Sequence, residues 1–320
     1  MGRADKTDLS VLIFGTKLRN PLILASGITS GTKDSLETAA KNGAGAVTTK
    51  STTLLPRKGH ETPVLSETPS GFINAVGITN PGIDAAIKEF SGWNEEKSNV
   101  PLIFNIAGKD VEEFRAIAER VGAAIKGGTL KISGLELALS CPHTPGYGTM
   151  AGQNTPESTA EIVRVVHSII PDSVPLIAKL SPNISALGEV AKAAEKAGAA
   201  AINMGNSVGP GMVIDTERRS PVLSFGCGGL TGPAIRPIAV RCVYDIYQSV
   251  KIPIIGTGGV TYGKDAIEMF MAGASAVGVG TAVYYRGPKA FSLISREMEE
   301  WMSVHKVGSL SELIGVAHRK

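Results

Sequence analysis

Eight short apolar runs, separated by longer amphipathic stretches, constrain this chain more than any other feature of its sequence. The runs are Pro21–Gly27, Ala46–Lys50, Pro101–Ala107, Leu135–Ser140, Pro175–Ser181, Ala200–Asn206, Ile252–Gly259 and Ala276–Ala282. Each is rich in Val, Ile and Leu and has the length of a strand buried on both faces. Between them the spacing predicts helices near 33–43, 110–125, 158–169, 185–198, 233–249, 263–273 and 287–304. The stretch Ser185–Gly198 follows Pro182-Asn183-Ile184 and closes on Lys-Ala-Gly, an ordinary helix start and stop. Eight strands alternating with helices is the count of a closed (β/α)8 TIM barrel. An open doubly wound sheet is the alternative, and it needs a strand to be misread. The barrel also explains why polar residues end strand after strand. Ser26, Lys50, Asn105, Ser140 with Cys141, Lys179, Asn206, Thr257 and Thr281 would all meet at one mouth.

A chain of 320 residues suits one such barrel, and no repeat, linker or low-complexity tract divides it, so residues 1–320 read as a single domain. Apolar residues make up 43%, enough for a large core, whereas aromatics are only 5% against 38 glycines. That balance suits tight turns beside a ligand and not a base-stacking platform. The net charge of +3 is spread along the chain, which excludes a nucleic-acid-binding stripe. The opening MGRADKTDLS has no apolar signal core, and no run is long enough to span a membrane. Cys141, Cys227 and Cys242 are too few for a disulfide framework and lack metal-ligand spacing, so the expected compartment is the reducing cytoplasm and no metal is expected. Two connections are unusually long, Ser51–Asp84 and Ser207–Thr231, and loops of that length usually cover or bind something.

Several residues at the barrel mouth carry chemistry. Gly258-Gly259 end the seventh run and Gly280-Thr281 the eighth, where barrels commonly hold a phosphate on backbone N–H groups. Single glycines there serve as turn residues; two pairs on adjacent strands favour a phosphate, of a flavin or of a sugar. Lys50 and Lys179 each close an apolar strand. Most lysines are solvated, but two at inward strand ends suit a fixed cation beside a flavin N1–C2=O edge. Cys227 and Cys242 read as inert small hydrophobes. Cys141, by contrast, leads from a strand through Ser140-Cys141-Pro142 into a Gly/Pro-rich loop, where a thiol can act as general base. Asn74, Asn80, Asn105 and Asn206 with Ser207 add paired donors and acceptors suited to an imide edge.

The segments LASG, TTKS, NAVGITNPG, NIAG, LSCP, AKLSPN, GNS, GGLTGPAIRPIA, IIGTGGV and GVGTA stand in the order found in dihydroorotate dehydrogenases. The resemblance covers nearly the whole chain and is strongest to the soluble class with a cysteine base. It implies FMN-dependent oxidation of (S)-dihydroorotate to orotate. In that likeness Cys141 takes the C5 proton while C6 passes hydride to flavin N5, with Lys50 and Ser140 beside it. Ala25, Ser26, Gly27, Lys50, Ser51, Asn105, Lys179, Gly229, Gly258, Gly259, Gly280 and Thr281 would hold the flavin. Lys50, Asn74, Val76, Gly77, Ile78, His143, Asn206 and Ser207 would hold the pyrimidine. The family's usual Asn-x-Ser-Cys-Pro-Asn is here Ala138-Leu139-Ser140-Cys141-Pro142-His143. Ala138 removes an amide, and His143 places a titrating ring, or a neutral one packed on proline, beside the base.

Ser-Cys-Pro-His followed by Gly152-Gln153 and Pro156-Glu157 also resembles dihydropyrimidine dehydrogenases, so a dihydrouracil-like substrate stays open. A flavin-free sugar-phosphate isomerase or lyase is the alternative from another class. No Rossmann fingerprint is present, and three scattered cysteines cannot ligate an iron–sulfur cluster. NAD could therefore be reached only through a separate FAD/iron–sulfur subunit, in a heterotetramer; fumarate or a quinone as acceptor, with a homodimer, is the other expectation.

Overall fold

The computed structural model describes residues 8–142 and 144–319. Eight parallel strands, numbered here among themselves, form one closed barrel: β1 (Leu22–Leu24), β2 (Ala46–Thr48), β3 (Leu102–Ile106), β4 (Gly134–Ala138), β5 (Leu176–Leu180), β6 (Ala201–Met204), β7 (Ile254–Thr257) and β8 (Ala276–Val279). They pair in chain order, and Gly278 opposite Ile23 closes the ring between β8 and β1. Seven of the eight apolar runs contain one of these strands, the run Leu135–Ser140 overlaps Gly134–Ala138, and the fold is a (β/α)8 barrel.

The helices form where capping and spacing direct them. Val111–Lys126 starts at Asp110, whose carboxylate accepts from the Glu113 N–H at 2.8 Å. It buries Phe114, Ile117, Ala118 and Val121, the three-and-four spacing of a single face. Pro156–His167 begins at Thr155 with proline in the first turn. The helix expected over 287–304 is Ala290–Val304, and a separate short helix, Ala282–Arg286, precedes it. Gly287, at φ +66, takes the left-handed turn that separates them.

Inside the barrel, alternating side chains stack in layers. Ile23, Ala46, Ile103, Ile177, Ala201, Ile255 and Ala276 pack together as an apolar lower layer. Ile13 and Leu18, from the hairpin Val11–Ile13/Thr16–Leu18, seal it from below. The next inward positions are Thr48 on β2, Asn105 on β3, Glu136 on β4, Lys179 on β5, Asn203 on β6 and Thr257 on β7. All but Thr257 are buried, so the barrel changes from apolar to polar within one layer.

The two long connections are not plain loops. They pair with each other as a four-stranded antiparallel sheet in the order Val208–Gly211, Gly228–Thr231, Gly71–Asn74, Leu65–Thr68. Gly229 stands opposite Asn74 in that sheet, which lies across the C-terminal mouth. Among the described residues no helix is long and apolar enough to cross a membrane.

Candidate active site

Between the strand ends and the covering sheet lies a cavity of about 380 Å³, within the range of small-molecule and cofactor sites. Ala25, Ser26, Gly27, Lys50 and Ser51 line one wall. Asn74, Val76 and Ile78 descend from the cover, and Cys141, Lys179, Asn206 and Ser207 complete the centre. Gly258, Gly259, Gly280 and Thr281 line the far end. Residues widely separated in the chain thus share one chamber because parallel strands deliver their C-terminal ends to the same rim. Asn105 and Ser140 are fully buried behind this lining. Gly77 lies in the turn between Val76 and Ile78, and Gly229 sits behind Asn74, accepting from its Nδ2 at 2.9 Å. His143 falls outside the described residues.

The two lysines are in different electrostatic states. The Lys50 ammonium has no hydrogen-bond or ion-pair partner among the described residues, and burial pushes its pKa down. It is a cation that lacks an anion. Lys179 is 7% exposed, with its Nζ 3.7 Å from Glu136 Oε1. Glu136 is itself 1% exposed, and its two oxygens accept from Asn105 Nδ2 and Asn203 Nδ2, each at 2.5 Å. Thr257 donates to Asn203 Oδ1 at 2.8 Å. Asn105 Oδ1 is buried without a partner among the described residues. Neither Glu136 nor Asn203 stands out in the sequence, because each lies inside a strand and not at its end. The available signal was a lone glutamate in the apolar run Gly134–Ala138.

Cys141, 9% exposed, faces the chamber, and its thiol donates to Thr144 Oγ1 at 3.0 Å. Gln153 braces the loop that carries it, donating to the Gly108 carbonyl at 2.8 Å and accepting from the Gly148 N–H at 3.1 Å. The Gly152-Gln153 stretch therefore shapes the loop. Asn206 donates to Ser140 Oγ at 2.8 Å and accepts from the Ser207 N–H at 2.7 Å, so Ser140 acts on the site by holding Asn206. Asn80 is also a brace. It accepts from Thr53 N and Gly82 N, and donates to Thr53 Oγ1 and the Ile78 carbonyl. Ile78, held at φ +54, is a β-branched residue in left-handed backbone, a costly arrangement of the kind that clusters at binding sites. Ala138 sits with Ala107, Cys141 and Tyr147 in a small apolar cluster, so no amide is supplied from that position.

The donor set fits a flavin. Two lysines offer cations, and the orphaned Asn105 oxygen waits for a donor such as an imide N–H. At Gly259, φ +75, a Cβ would come within 2.8 Å of the Gly232 carbonyl, so only glycine lets this lining segment pack against the 232–236 turn behind it. A Cβ at Gly280 would meet only Ile28 at 3.7 Å and Ala25 at 3.9 Å, which leaves that end roomy enough for a phosphate.

The family described as dihydroorotate dehydrogenase matches residues 8–302. Three proteins named dihydroorotate dehydrogenase B (NAD(+)), catalytic subunit, are similar from end to end. That of Pyrococcus abyssi is 44% identical over 309 residues, 97% of this chain and 99% of its own. That of Methanothermobacter thermautotrophicus is 43% identical over 311 residues, covering 97% and 98%. That of a Geobacter species is 40% identical over 311 residues, with the same two shares of 97% and 98%.

Proposed function

This chain belongs to the dihydroorotate dehydrogenase family, and from that premise we infer that it oxidises dihydroorotate to orotate in pyrimidine biosynthesis as the catalytic subunit of a flavoenzyme. The observation that carries the reading is the convergence of Lys50, Asn74, Cys141 and Lys179 on one covered cavity. We take the flavin to be FMN, since Gly258, Gly259, Gly280 and Thr281 offer a single phosphate site at the chamber's end. Bound there, the flavin supplies the hydride acceptor at N5 for the hydrogen leaving C6 of the substrate.

The protein's own residues do the rest. Cys141 Sγ, as thiolate, takes the C5 proton, so that C5–H and C6–H break and the C5=C6 double bond forms. Thr144 Oγ1, 3.0 Å from that sulfur, orients it by donating its hydroxyl proton to the thiolate. Lys50 receives the substrate's negative charge and so acquires the anion it lacks. Asn74, Asn206 and Ser207 hold the pyrimidine edge, with the backbone of Val76, Gly77 and Ile78 available to the carboxylate. The sheet lies across the mouth, and the burial of Lys179 beneath it strengthens that residue's electrostatic interactions. Ala25, Ser26, Gly27, Ser51, Asn105, Lys179 and Gly229 surround or support the flavin.

Electrons must then leave the chamber. Cys141, Cys227 and Cys242 are all free thiols, and none of them pairs or clusters with another. The three relatives are named as catalytic subunits of NAD(+) enzymes. We therefore propose an FAD/iron–sulfur partner that carries electrons to NAD, in a cytoplasmic heterotetramer. The decisive experiment is anaerobic mixing of the yellow protein with dihydroorotate or dihydrouracil. Rapid bleaching of the flavin by dihydroorotate is expected. Bleaching by dihydrouracil alone would transfer the chain to dihydropyrimidine chemistry, and a colourless protein that refuses FMN would favour the sugar-phosphate reading.

A further inference from the structure

Glu136 lies in the middle of a barrel strand, 1% exposed, where the layer beneath it is filled by isoleucine and alanine. An apolar side chain would suit that position better for stability, because a buried carboxylate is costly and a buried ion pair adds little net stabilisation. Every partner that the structure gives its oxygens is a donor: Asn105 Nδ2, Asn203 Nδ2 and, at 3.7 Å, Lys179 Nζ. An ionised carboxylate only accepts, so the three donors match it. The arrangement has a consequence above it. Because Glu136 engages the Asn105 amide nitrogen, Asn105 Oδ1 is left as a buried acceptor with no partner among the described residues. Lys179, meanwhile, both touches Glu136 and lines the cavity.

We propose that Glu136 is a positioning residue of the cofactor floor: it fixes Asn105 and Lys179 beneath the flavin and offsets the Lys179 charge, so that the flavin's reduction potential is set by the pair. This rests on the flavin reading above. A cation beside the ring favours the anionic reduced form. A carboxylate behind that cation weakens the effect, and it does so strongly because both side chains are buried. Removing the carboxylate's charge while keeping its shape must then make reduction easier. Loss of packing alone would loosen the cofactor without driving its potential in that direction.

The test is the midpoint potential of the flavin-loaded chain, measured against reference dyes, for wild type, Glu136→Gln and Glu136→Asp. Glu136→Gln should favour reduced flavin at least tenfold, a positive shift of about 30 mV for a two-electron couple. Glu136→Asp, which keeps the charge, should stay within threefold of wild type. A potential in Glu136→Gln that is unmoved or lowered overturns the proposal. If Glu136→Gln does not fold, Glu136→Asp decides: a tenfold shift with the charge retained means that geometry alone is at work, and the charge argument fails. Wild type that holds no flavin sinks the functional reading and this inference with it. Yellow wild type whose potential ignores the Glu136 charge sinks this inference alone.

Discussion

Cys141 and Lys50 are the residues on which the proposed chemistry turns, and they make separate predictions. Replacing Cys141 by alanine removes the proposed proton acceptor but no contact needed for folding, so the flavin should stay bound. Its reduction by dihydroorotate should slow by roughly 10²–10⁴-fold, the usual contribution of a positioned base, as read by stopped-flow absorbance. Lys50 predicts a pH dependence. Burial favours its neutral form, so in the free protein it loses its proton below the ordinary lysine range. An anion bound against it favours the charged form, and binding therefore takes up a proton at alkaline pH. Affinity for orotate should fall as pH rises through that window, whereas Lys50→Met should bind weakly with no such slope; titration calorimetry distinguishes them. Both residues were legible because a polar side chain closing an apolar strand has few places to point. Glu136 and Asn203 were not, since a residue inside a strand faces the barrel axis or the helices according to register, and register is a relation between strands.

At the scale of elements, the covering sheet matters most. Its four strands come from connections that read as loops: two pairings are internal to one connection, and the central one, Gly71–Asn74 with Gly228–Thr231, joins segments far apart in sequence. Asn74 shows the coupling: its amide donates to the Gly229 carbonyl at 2.9 Å and to Ser207 Oγ at 3.3 Å. Beneath the sheet, Asn80 satisfies four groups of the first connection while 8% exposed. Truncating it to alanine strands buried backbone N–H groups of Thr53 and Gly82, each costing about 1–3 kcal/mol. Asn80→Ala should therefore melt earlier, and amide exchange should quicken between residues 51 and 82. Because the substrate-facing turn hangs from this brace, KM should rise more than kcat falls. Unchanged exchange in that segment would show that the turn holds itself.

For the molecule as a whole, the barrel separates stability from chemistry by depth. The lower layer, sealed by Ile13 and Leu18, contains no polar side chain, while the layer above carries the buried network. Ile177 and Lys179 are successive inward residues of β5, one in each layer. Ile177→Ala should cost about 3 kcal/mol as a cavity opens in a place that cannot collapse, seen as a lower denaturant midpoint. The flavin spectrum of the folded variant should be unaltered. A changed spectrum at low denaturant would mean that the two layers are not independent.

The sequence by itself determined the barrel, the order of its strands and the identity of the rim residues, since these follow from local apolar periodicity and from which residue type ends each run. Only the tertiary structure decided that the two long connections form one sheet, that the hairpin at residues 11–18 closes the bottom, and that Glu136 joins Asn105, Asn203 and Lys179. Those outcomes depend on contacts between segments far apart in the chain, whose energies are set by relative placement and not by the composition of either segment.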